Sequence, residues 1–82
     1  MEKIKFYGTP WCGDCRRARK ILEDRAVDYE WIDINQNKDG EIFVKKTNHG
    51  NRSVPTILFP DETILVEPSN TALTEKLDML DL

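Results

Sequence analysis

No uninterrupted apolar run in this chain exceeds three residues. A bilayer-spanning helix needs about 20, so no membrane segment is expected. The first six residues, Met-Glu-Lys-Ile-Lys-Phe, lack the apolar stretch of a secretory leader. Positive charge is not in excess either. Twelve Lys and Arg against fifteen Asp and Glu leave a formal net charge of −3, which offers no overall basic footprint for nucleic acid. There is one histidine and there are two cysteines, too few for a disulfide scaffold. Completing a zinc tetrahedron would take His49 and a carboxylate besides, an uncommon structural set. No repeat, linker or low-complexity tract appears. What remains is a globular composition, 39% hydrophobic and 33% charged, with enough Ile, Leu, Val, Phe and Trp to argue against disorder. At 82 residues, positions 1–82 read as one small domain. The expected location is the cytoplasm, where thiols stay reduced and a close cysteine pair is more often catalytic or metal-binding than structural.

Hydrophobic periodicity divides the chain into short strands and helices. Residues 3–7 alternate polar and apolar and then meet Gly8 and Pro10, which predicts a strand and a turn. Ala18, Ile21 and Leu22 mark one face of a helix from Gly13 to about Arg25. Residues 28–34 alternate again, with Tyr29, Trp31 and two Ile residues favouring a strand. A helix follows over roughly 39–48, stopped by His49-Gly50-Asn51, where Gly50 suits a left-handed cap. Thr56–Phe59 and Thr63–Glu67, joined by Pro60-Asp61-Glu62, read as an antiparallel hairpin. Leu73, Leu77 and Leu80 give the apolar stripe of a final helix, with Ser69 among its possible N-caps. The order β-α-β-α-β-β-α predicts an α/β domain with a four-stranded mixed sheet flanked by helices on both faces. Its first two strands are parallel through a right-handed crossover. Lys3 and Lys5 are awkward for a covered central strand and are expected near its exposed start or under the thinner helical layer.

Chemistry concentrates in Thr9-Pro10-Trp11-Cys12-Gly13-Asp14-Cys15. The thiolate is the reactive form of cysteine, and the unpaired N–H groups of a helix N-terminus favour it. Cys12 stands at that terminus and Cys15 lies a turn further in, so Cys12 is expected to attack and Cys15 to resolve. Arg16, four residues past Cys12, adds favourable charge and Asp14 opposes it. A purely structural disulfide here closes too short a loop to stabilise much. Trp11 is expected partly exposed beside the active sulfur, whereas Arg17, Arg19 and Lys20 read as a solvated helix face.

With that dithiol, the runs Tyr7–Cys15, Asn51-Arg52-Ser53-Val54-Pro55-Thr56 and Glu67-Pro68-Ser69-Asn70 make the chain resemble the glutaredoxins, a family of thioredoxin fold, over nearly its whole length. The Trp-Cys-Gly-x-Cys motif, the Val-Pro-Thr run and the Pro-Ser before the last helix lie nearer the mycoredoxins, which serve mycothiol in actinobacteria. The resemblance implies a cis Pro55 facing the dithiol, with the Val54 backbone offered to an extended ligand. It implies thiol–disulfide exchange with disulfide-containing proteins and with protein–small-thiol mixed disulfides. Electrons would come from glutathione, mycothiol or a thioredoxin-reductase-like donor, with no bound cofactor or metal, and the protein is expected as a monomer. Thr9 stands where glutathione-binding members carry lysine. Ser69, Asn70 and the N–H groups after them are placed to receive a carboxylate, and Arg52 to pair with one. Two alternatives stand beside this reading. One is an iron–sulfur carrier holding a cluster between two protomers through the first cysteine; the other is a dedicated electron donor to a single reductase.

Overall fold

The computed structural model describes residues 3–82, so the first two residues of the expected domain lie outside it. Strand β1 is Ile4–Gly8, followed by helix α1 (Gly13–Asp24), β2 (Tyr29–Asp33), α2 (Lys38–Thr47), β3 (Thr56–Leu58), β4 (Ile64–Val66) and α3 (Asn70–Met79). The sheet runs β2-β1-β3-β4. β1 and β2 are parallel with Phe6 opposite Trp31, and β3 is antiparallel to both β1 and β4. This is the mixed four-stranded sheet expected from the element order, in the thioredoxin-like arrangement that the resemblance implies.

Alternation along β1 builds two cores. Ile4 and Phe6 point to one face, where Ala18 and Leu22 of α1 and Leu73 and Leu77 of α3 close over them with Ile57 and Phe59. Tyr7 points to the other, packing with Ile32, Ile34 and Val44 of α2. Leu22 and Leu77 are fully excluded from solvent, and each such side chain stabilises the fold by about 1.5–3 kcal/mol. Helix α2 alone covers the second face and reaches only its Tyr7 end. Lys3 precedes the strand and Lys5 sits exposed on that thinly covered face, so both expected placements occur.

Each helix begins on a side-chain cap. Cys12 Sγ, Asn37 Oδ1 and Ser69 Oγ accept the N–H of Cys15, Gly40 and Ala72 at 3.1, 2.8 and 3.1 Å. The first of these caps places a sulfur at the N-terminus of α1. At the other end of α1, Ala26 takes φ 57° and Val27 N–H returns to Leu22 O at 2.9 Å, turning the chain into β2 at the edge of the sheet.

Candidate active site

β1 ends at Gly8, the turn carries Thr9 to Trp11, and Cys12 enters α1 in extended conformation at φ −77° and ψ 116°. Cys12 N–H donates to Thr9 O at 3.3 Å, which fixes the turn. The two sulfurs meet unlike surroundings. Cys12 is half-buried and accepts the Cys15 N–H at 3.1 Å. Cys15 is 1% exposed. Burial pushes its thiol up to about 12, helped by the hydrogen bond and charge of neighbouring Cys12, with a backbone hydrogen bond from buried Thr9 acting against them.

Gly8 explains how Cys15 fits. A Cβ at this position would stand 2.7 Å from Cys15 Sγ and 3.0 Å from the ring of Trp31. The sulfur therefore lies against bare backbone, and the Trp31 ring borders the same space. That ring is itself covered by Arg19, whose guanidinium stands 4.0 Å from its centroid. Arg19 also donates to Tyr29 Oη at 3.0 Å. Arg19 thus departs from the solvated reading, because the alternation of β2 brings two aromatic rings under it.

Across from the dithiol, the Val54–Pro55 peptide is cis. Cys12 Sγ–H points to Val54 O at a long 3.9 Å, and Pro55 is buried, its carbonyl accepting Glu67 N–H at 2.8 Å. Thr9, Cys12, Cys15, Val54 and Pro55 thus converge, and the Trp11 ring stands 69% exposed at their rim. Ser69 and Asn70 begin α3 beside α1. Asn70 Oδ1 accepts from Arg17 Nη1 at 3.1 Å while Arg17 Nη2 pairs with Asp14 at 3.1 Å. Arg17, read as solvated, in fact ties the first turn of α1 to that of α3. The Asp14–Arg17 spacing is a signal for half of this link; nothing in the sequence announces the other half, 53 residues away. Among the described residues, no hydrogen bond or ion pair brings Arg52 to the dithiol. Its guanidinium pairs with Glu41 at 3.0 Å and donates to Asn35 at 2.6 Å, at the start of α2.

Two cysteines one helical turn apart, one half-buried under a donor and one buried and protonated, form a site that can cycle between dithiol and disulfide. On this fold, the site defines a thiol–disulfide oxidoreductase. The family model for glutaredoxin matches residues 4–64. A glutaredoxin-named protein of Mycobacterium tuberculosis is 38% identical over 74 residues, covering 90% of this chain and 88% of its own. Mycoredoxin 1 of Corynebacterium glutamicum is 34% identical over 80 residues, covering 98% and 99%. Among solved structures, a glutaredoxin from Archaeoglobus fulgidus superposes with a TM-score of 0.71 at 25% identity, over 92% of this chain and 85% of that one. The chain belongs to the glutaredoxin family and is a glutaredoxin-type thiol–disulfide oxidoreductase.

Proposed function

We propose that the reduced protein acts on protein–small-thiol mixed disulfides and on protein disulfides, with Cys12 as nucleophile and Cys15 as resolving thiol. The observation that carries this reading is the inequality of the two sulfurs: one half-buried and receiving an N–H, the other 1% exposed with its thiol raised to about 12. The Cys12 thiolate attacks a disulfide sulfur, one S–S bond replaces another, and the displaced sulfur leaves as a thiolate and takes up a proton. Cys15 stays protonated during that step. Once Cys12 is held in a mixed disulfide, its charge and its hydrogen bond no longer raise Cys15, and what opposes ionisation is burial together with the nearby Asp14 charge. Cys15 then attacks Cys12 Sγ, closing the intramolecular disulfide and releasing the bound thiol. Two electrons from a small-thiol reductant reopen it.

Mycothiol or glutathione would lie along Val54, Pro55 and Thr9, with its far end toward Ser69 and Asn70. Mycoredoxin 1 covering 98% of the chain supports the first of these thiols. Among the described residues no helix is long and apolar enough to cross a membrane. Arg52, committed to Glu41 and Asn35, would reach a ligand only by leaving them. The test is a pair of variants assayed on a glutathionylated or mycothiolated peptide and on a protein disulfide. Cys12→Ser should lose both activities, whereas Cys15→Ser should keep the first and lose the second. Full activity of Cys12→Ser on either substrate would overturn the assignment.

A further inference from the structure

The basic run Arg16–Lys20 beside the dithiol is largely neutralised from within. Arg17 is taken by Asp14 and Asn70, Arg19 by Trp31 and Tyr29, and Lys20 by Asp24 at 3.2 Å. Arg16 is exposed, and among the described residues its side chain forms no hydrogen bond or ion pair. It also stands at a telling place. Its backbone N–H donates to Cys12 O at 3.1 Å, which sets it one turn from the sulfur on the same face of α1. Successive helix residues are turned by about 100°. Since Arg17 reaches α3 and Cys15 faces the sheet, Arg16, turned by about 40° from Cys12, projects to solvent between Cys12 and Arg17. The 69% exposed Trp11 ring immediately precedes Cys12.

We propose that Arg16 and the Trp11 ring form the surface that recognises protein substrates, selecting segments that carry a carboxylate beside the cysteine of their disulfide. The inference rests on Cys12 as the attacking sulfur and adds which proteins reach it. An exposed apolar ring receives the segment, and the one uncommitted guanidinium of the run pairs with its acid. In a chain of net charge −3, such selection has to come from a short-range contact, since surface charges are screened beyond about 8 Å at physiological salt.

The test uses three peptides, neutral or bearing Asp or Lys next to a single cysteine, each as its mixed disulfide with uncharged 2-mercaptoethanol. The readout is the ratio of kcat/KM for the acidic peptide to that for the neutral one, in which any effect of Arg16 on the sulfur itself cancels. An exposed pair of this kind supports a ratio of about three to five, fading with salt. Arg16→Lys should retain most of it, Arg16→Gln should bring it to about one, and Arg16→Glu should favour the Lys peptide. A wild-type ratio of one, or a ratio unchanged in Arg16→Gln, overturns the proposal while leaving the dithiol chemistry intact. A fourth arm carries glutathione on the neutral peptide. Dependence on Arg16 only in that arm would assign the recognised carboxylate to the small thiol, and would also overturn it. Absence of turnover on every peptide would instead strike at the role of Cys12. Arg16 is exposed on a helix surface, so its variants are expected to fold, which equal melting temperatures verify.

Discussion

Gly8→Ala tests the packing that seats the resolving sulfur. In an ordinary strand this change stabilises by about 0.4–1 kcal/mol, because alanine restricts the unfolded chain. Here the new methyl would stand 2.7 Å from Cys15 Sγ and 3.0 and 3.1 Å from two carbons of the Trp31 ring. All three distances are too short for carbon or sulfur contact, so sulfur, ring or strand must shift. Overpacking of this type costs about 1–3 kcal/mol. For a domain of this size each kcal/mol lowers Tm by about 4–8 °C, so a cost of about 2 kcal/mol predicts a fall of about 8–16 °C for the reduced protein, read by far-ultraviolet circular dichroism. In a Trp31→Leu background the two ring contacts disappear, and the cost of Gly8→Ala should shrink by about 1 kcal/mol or more. An unchanged or raised Tm would refute the placement of Cys15 against bare backbone, and an equal cost in both backgrounds would refute the share assigned to the Trp31 ring.

Other expectations follow from single contacts. Lys76 pairs with Asp61 at 2.7 Å and, with Thr63, holds that carboxyl down at about 2, from an ordinary 3.8. A depressed carboxyl stabilises the fold above its unfolded value and loses that contribution as pH falls from about 4 toward about 2. Lys76→Met should therefore lower neutral-pH stability and flatten the acid limb of a Tm-against-pH profile across that window; an unchanged limb would contradict the pairing. Ser69→Ala removes the cap of α3 and should cost about 1 kcal/mol, with Ser69→Asp restoring most of it in urea melts. A Leu77→Ala chain should lose about 2–5 kcal/mol, since the side chain is fully buried between α3 and the sheet. A loss below 1 kcal/mol would mean that α3 does not close the core.

Element order and the position of Cys12 were legible because they rest on local pattern. Alternation in residues 3–7, the stripe of Ala18, Ile21 and Leu22, and the turn residues around Gly8 and Pro10 each act within a few positions. Boundaries were less legible. α1 stops at Asp24, one residue early, because Ala26 adopts a left-handed conformation that no Gly or Asn announces. β3 ends at Leu58, although the hairpin bonding continues from Phe59 N–H to Thr63 O at 2.9 Å. His49 shares the left-handed region with Gly50, where only the glycine was signalled. The basic run was least legible. Its charges were plain, but their partners Asn70, Tyr29 and Trp31 are brought by tertiary structure from 10 to 53 residues away. The space beneath Cys15 was hidden for the same reason, since Gly8 and Trp31 meet only across β1 and β2.

The inequality of the two sulfurs is the claim on which the account turns, and site-resolved alkylation of the fully reduced protein addresses it directly. Iodoacetamide is added in a short pulse at a series of pH values, and the adducts are located by peptide mapping. Cys12 alone should be modified at neutral and mildly alkaline pH, with Cys15 reacting only as pH approaches about 12 or the protein unfolds. Equal labelling of both cysteines at neutral pH, or labelling of Cys15 first, would contradict it.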